Sequence, residues 1–127
     1  VATSEVAHAF QGFKNILEVN VYGVDLPGND GKAGMAALVA NDEINLKGLY
    51  LHLKGSLPGY AMPIILRVKK EIEITGTFKH KKNELVKEGY NPEDISDPLF
   101  FIDDQNESYI NLDNRLYERL INKEIKL

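Results

Sequence analysis

The sequence predicts an α+β fold, a small sheet with a β-hairpin and packed helices. Three observations lead there. Apolar residues recur at helical spacing in several separated segments. Elsewhere they alternate with polar residues at a period of two, the mark of half-buried strands. These segments interleave without the regular strand–helix–strand rhythm of a doubly wound sheet. At 127 residues, where a domain usually takes about 100–200, the chain reads as one domain over residues 1–127.

The first helix is expected from Thr3 or Ser4, whose hydroxyl can cap it, with Glu5 in the first turn, where the helix dipole favours an anion. Val6, Phe10, Phe13 and Leu17 would form its apolar face. Leu17 to Val24 then alternates as a strand. Pro27, Gly28, Asn29, Asp30 and Gly31 form a turn, and Met35 to Ala40 supplies the partner strand of a hairpin. Asn45 caps a second helix whose buried stripe is Leu46, Leu49, Tyr50, Leu53 and Leu57, ended by Pro58-Gly59. Between Leu57 and Pro63 a stiff turn leads into a buried strand of Ile64, Ile65, Leu66 and Val68. Thr75-Gly76-Thr77 reads as a loop, followed by a short helix through Leu85 and Val86 that stops at Gly89. Leu99–Ile102 and Tyr109–Leu112 make two strands around the turn Asp103-Asp104-Gln105-Asn106. Asp113 caps a last helix with Leu116, Leu120 and Ile121 inward. The acidic residues of segment 88–108 read as solvated surface.

Composition excludes several functions. The absence of cysteine removes disulfides, thiolate metal sites and thiol catalysis. A net charge of −4 and a pI near 5.4 argue against nucleic acid as a partner. No apolar run approaches the roughly 20 residues of a membrane-spanning helix, and no signal-peptide pattern opens the chain. His8 and His52 fall in helices and His80 in a lysine cluster, without metal-ligand spacing, so no metal site is expected. Asp104, Asn106 and Ser108 mimic the start of a calcium loop but lack its glycine and closing glutamate, so a hairpin turn is expected. The start at Val1 reads as a cut.

One stretch resists a purely structural reading: Thr75-Gly76-Thr77-Phe78-Lys79-His80-Lys81-Lys82. A helix starting here carries three lysines in its first turn and Glu84 and Glu88 towards its end, the reverse of what the dipole prefers. The preceding small residues let backbone N–H groups and an ammonium approach an anion closely. An anion-binding role and a plain basic patch both fit that pattern.

The residues LPGYAMPIILRV, followed by EITGTFKHKKNELVKEGYNP, closely resemble the C-terminal domain of adenylate-forming enzymes, in particular the fatty acid transport protein/very-long-chain acyl-CoA synthetase family. VYGVDLPGNDGKAGMAALV upstream and DPLFFID downstream match the same run of motifs, and VATSEV resembles the stretch just after the interdomain hinge. The resemblance implies a lid domain that supplies a lysine for adenylation and rotates between two half-reactions. By motif match that lysine is Lys79, with Thr75, Gly76 and Thr77 as the nucleotide- and substrate-facing loop, and Lys82 as supporting cation facing phosphate. Phe78 stands where many relatives have glycine, an aromatic shared by the transport-protein-like branch. Asn111-Leu112-Asp113 replaces a proline-leucine-threonine run while keeping a capping side chain. The implied parent uses ATP, magnesium and coenzyme A, none bound by this segment alone. Its partners would be its own N-terminal domain, fatty acid, ATP and coenzyme A, and the implied location is the cytoplasm or the cytosolic face of a membrane. Coenzyme A contacts stay unassigned. The alternative reading is a freestanding small module that binds an anion or a partner.

Overall fold

A computed structural model describes residues 3–26, 32–70 and 86–122. Their five strands form a sheet in chain order: β1 (Ile16–Asp25), β2 (Lys32–Ala40), β3 (Ile65–Lys70), β4 (Leu99–Asp103) and β5 (Ser108–Asn111). The helices are α1 (Thr3–Ala9), α2 (Leu46–Ser56) and α3 (Asn114–Ile121). The α+β expectation therefore holds, with a hairpin at each side of the sheet. β1 pairs antiparallel with β2 from Ile16 opposite Ala40 to Asp25 opposite Lys32; the turn at 27–31 lies outside the described residues. β4 and β5 pair antiparallel around the Asp103–Asn106 turn, where the Asp103 carboxylate accepts the Asn106 side-chain amide at 2.7 Å.

β2 and β3 are parallel. A parallel pair needs a long crossover, and α2 is it, so one strand–helix–strand unit sits inside an otherwise antiparallel sheet. The unit is well punctuated. Asn45 Oδ1 accepts the Gly48 N–H at 3.1 Å, the cap expected from sequence, and the Leu57 N–H closes the helix onto Leu53 O at 2.8 Å. Pro58 and a single 3-10 turn (Gly59–Ala61) then redirect the chain into β3. Tyr109 fixes this approach by donating its hydroxyl to Pro63 O at 2.7 Å.

Strand alternation divides the core between the two faces of the sheet. On one face Val21, Ala36, Leu38 and Leu66 pack against Val6 and Phe10 from α1 and Leu49, Tyr50, Leu53 and Leu57 from the α2 side. On the other, Tyr22, Met35, Ile65 and Phe101 pack against Ile95, Leu112 and Leu120. β2 is covered on both faces, so its sequence is a continuous apolar run instead of an alternation.

Three apolar residues depart from expectation. The sequence places Phe13 and Leu17 on the first helix, but that helix stops at Ala9, and Gly12 and Asn15 take positive φ; Phe13 lies beyond the helix, half-buried against the core. The turn carries Leu17 onto β1, where it is exposed. Ile121 was expected inward on α3 and is exposed, whereas Leu120 is buried and Leu116 half-buried. Neighbouring helical residues point about 100° apart, and Asp113, which accepts the Leu116 N–H at 2.8 Å, sets the helix so that Leu120 takes the core. His8 and His52 both lie in helices, as the sequence places them: His8 is exposed, and His52 Nε2 lies 2.9 Å from the carbonyl of Ala9, joining α2 to the end of α1.

The face assignment of α2 makes a direct prediction. Leu53→Ala should destabilise the chain by about 2–5 kcal/mol, whereas Leu51→Ala, on the exposed side of the same helix, should change stability by no more than about 0.5 kcal/mol. Urea denaturation compares the two, and equal losses would contradict the packing described.

Candidate functional site

The residues singled out by sequence (Thr75, Gly76, Thr77, Lys79 and Lys82, with His80) lie outside the described residues, which stop at Lys70 and resume at Val86. The structure does describe how both flanks of that stretch are held. β3 opens with Ile65 and Leu66, both buried, then places Arg67 between Ala37 and Leu99 on neighbouring strands. The register puts Arg67 on the same face as Ile65, and its side chain is only 7% exposed.

A buried guanidinium carries a desolvation penalty of several kcal/mol unless anions meet it. Here two carboxylates do. Asp97 Oδ2 accepts from Nε and lies 2.9 Å from Nη2 as well, while Glu88 Oε1 accepts from Nη1. Lys69 Nζ stands 3.5 Å from the same Asp97 oxygen. Burial by itself would lower the Arg67 pKa; the hydrogen bonds it donates to Glu88 and Asp97 outweigh this and raise the pKa, so the group stays charged.

The chain from Val86 to Pro98 is fastened along its length. Gly89 takes φ +70° and ends the helical residues 86–88, as the sequence suggested. Tyr90 donates its hydroxyl to Asp25 O at 2.7 Å and meets Tyr117 edge-on, with ring centroids 5.8 Å apart. Asn91 holds a turn by accepting the Glu93 N–H, Ile95 enters the core, and Pro98 O accepts the Val68 N–H at 3.0 Å. Tyr22, opposite Met35 on β1, lies on the same face as Arg67. Its buried hydroxyl has no hydrogen-bond partner among the described residues, and burial pushes its pKa up to about 12.

Sequence reasoning missed this cluster. An arginine inside the apolar run Ile64–Val68 was the available signal, because a buried cation requires acidic partners. The acidic segment downstream was read as solvated surface. That reading fails for Asp97, which is 15% exposed, whereas Glu88 is half-exposed and still pairs with Arg67. Glu88 at a helix end is therefore explained by its partner Arg67; the lysines at 79, 81 and 82 lie outside the described residues. Elsewhere, Glu5, His8, His52 and Ser56 line an open cleft between α1 and α2, without convergent chemistry. Among the described residues no group of three or more His, Asp or Glu side chains could hold a metal ion. No helix among them is long and apolar enough to cross a membrane.

Long-chain fatty acid transport protein 6 of Mus musculus is 45% identical over 129 aligned residues, which cover 100% of this chain. The chain is a homologue of the long-chain fatty acid transport proteins. It spans 21% of the length of the mouse transport protein. No family model matches it. Apo MatB from Rhodopseudomonas palustris superposes with a TM-score of 0.57 at 21% identity, over 68% of this chain and 18% of that one. A double mutant of o-succinylbenzoate CoA synthetase (MenE) from Bacillus subtilis, bound with a product analogue, gives a TM-score of 0.55 at 22% identity, over the same shares. At such identities the likeness shows the fold alone, which is that of the C-terminal domain of adenylate-forming enzymes.

The tyrosines provide a test of the packing around this region. Burial raises the pKa of Tyr22 and Tyr90 to about 12. A hydrogen bond donated to Asp104 at 2.6 Å does the same for Tyr50, and burial raises Tyr109 as well. The unfolded chain releases these protons near pH 10 while the folded chain retains them, so stability is full below pH 10 and declines as pH climbs towards 12. In a spectrophotometric titration, phenolate absorbance of the folded chain should lag a denatured control until the fold is lost. Coincident curves with intact circular dichroism would contradict it.

Proposed function

We propose that this chain acts within a longer fatty acyl-CoA ligase, as the C-terminal lid that supplies the adenylation lysine, Lys79, and rotates between half-reactions. The observation that carries the reading is homology over the whole chain to long-chain fatty acid transport proteins. The adenylate-forming fold supports it. MenE is a CoA synthetase, bound in its structure with the product analogue OSB-NCoA, and belongs to the class of chemistry proposed.

In the first half-reaction a fatty acid carboxylate oxygen attacks the α-phosphorus of ATP; the bond to the bridging oxygen breaks and pyrophosphate leaves, giving an acyl-adenylate. In the second, the thiol of coenzyme A attacks the acyl carbon, loses its proton, and displaces AMP. The first step brings two anions together and concentrates charge on phosphoryl oxygens. A compact ammonium on a flexible stem can bridge carboxylate and nucleotide oxygens, relieving the repulsion and stabilising that charge. A base is unnecessary, since a carboxylic acid of ordinary pKa is already ionised near neutral pH. Thr75, Gly76 and Thr77 would bring small residues and hydroxyls beside the nucleotide, and Lys82 a second cation facing phosphate. No metal ligand is assigned to this chain, and no step is routed through one.

The test is Lys79→Ala in the full-length protein. Acyl-adenylate formation should fall by about 10²–10³, while thioester formation from preformed acyl-adenylate is retained to a much greater extent. Full activity in the variant would overturn the assignment of Lys79, and equal loss in both steps would overturn its role in adenylation.

A further inference from the structure

We propose that α1 is a releasable guard on the outer edge of β1, and that this edge, once uncovered, pairs antiparallel with β1 of a second copy of the chain. The proposal is independent of the role given to Lys79.

β1 is an outer strand of the described sheet, flanked by β2 alone. Its backbone directions follow from those of β2. The Gly34 carbonyl turns to β3, where it accepts the Ile64 N–H at 2.8 Å. Alternation along β2 then turns Met35 and Ala37 to β1, so their partners Tyr22 and Asn20 bond to β2. Val19, Val21 and Gly23 alternate with these and direct N–H and C=O outward. Asp25, next in that series, gives its carbonyl to the Tyr90 hydroxyl at 2.7 Å. From 19 to 24 the strand holds no charge and no proline, and its bulge lies earlier, between Ile16 and Glu18. Charges, prolines and bulges are what keep a sheet edge from adding a strand; a covering helix is the other common device. The burial points to such a cover, because Val21 is only 3% exposed although its backbone groups face outward. Among the described elements, α1 is the one besides β2 that packs closely on β1.

The guard is lightly held. α1 has 7 residues, fewer than the roughly 12–15 an isolated helix needs, so tertiary contacts keep it in place. Val6 and Phe10 anchor it in the core, and His52 Nε2 donates to Ala9 O at its end. Clefts run on both sides of it, one towards β1 beside Phe10 and Val19, the other towards α2 beside His8 and His52. A second copy fits the edge that α1 leaves. With a two-fold axis through Val21, Val21 meets its own copy, Val19 meets Gly23 and Glu18 meets Val24. The outward backbone groups then match each other, and no like charges stand opposite. Asn20 meets Tyr22 and has its own copy as a diagonal neighbour.

Hydrogen exchange and sedimentation of the chain test the two parts, with His52→Ala and Phe10→Ala loosening α1. His52 is exposed, so His52→Ala keeps the question answerable if Phe10→Ala fails to fold. In His52→Ala the amides of Val19, Val21 and Gly23 should exchange about fivefold faster, while those of Asn20, Tyr22 and Val24, bonded to β2, stay unchanged. The same variant should form a concentration-dependent dimer. Asn20→Lys added to it should restore the monomer, because the two lysines meet diagonally across the axis. Mixing that double variant with His52→Ala carrying Asn20→Glu should bring the dimer back. Equal acceleration of both sets of amides, or of neither, overturns the guard. Faster outward exchange without a dimer overturns the pairing with a second copy, and a dimer that Asn20→Lys leaves intact overturns the β1 edge as its contact.

Discussion

A guanidinium buried against a sheet must be met by carboxylates, and Arg67 on β3 imposes that requirement on a large part of the chain. Asp97 and Glu88 have to arrive at one place, 30 and 21 residues further along the sequence. Their arrival fixes the approach to β4 and the return of the chain after residue 85. Tyr90, Ile95 and Pro98 then fill positions prepared by β1, the core and β3. Asp97 also balances Lys69, the next residue of β3 on that face, so both Arg67 and Lys69 can stay mostly buried.

The sheet makes the cluster possible. β3 lies between a parallel and an antiparallel neighbour, and α2 covers one face while the 86–98 segment and α3 cover the other. The apolar half of β3, Ile65 and Leu66, is locked by that double covering. Its polar half emerges at the end of the sheet from which residues 71–85 depart. Tyr109 and Tyr50 brace the opposite side, one bonded to Pro63 just before β3 and the other to Asp104 in the β4–β5 turn.

Much of this was legible in the sequence because it is local. Asn45 and Asp113 cap their helices as their side chains suggest, β1 shows its alternation, and turn residues mark both hairpins in the sequence. What could not be read is set by distance or by angle. Leu17 and Ile121 satisfy an apolar pattern but lie beyond a turn or one residue out of phase. The parallel pairing of β2 with β3 depends on how α2 packs, and Arg67 finds its acids across a long stretch of chain. The role proposed for the residues around Lys79 rests on resemblance, since a threonine–glycine loop and three lysines fit a basic patch as well as an anion site.

Arg67 is buried, charged and held by Asp97. Nuclear magnetic resonance of the nitrogen-labelled chain tests it most directly, with the more exposed Arg115 and Arg119 as internal references. The Arg67 Nε–H should exchange slowly with water and show restricted motion, and Asp97→Asn should abolish that protection while leaving the two reference signals unchanged. Three arginine signals exchanging alike in the folded chain would contradict it.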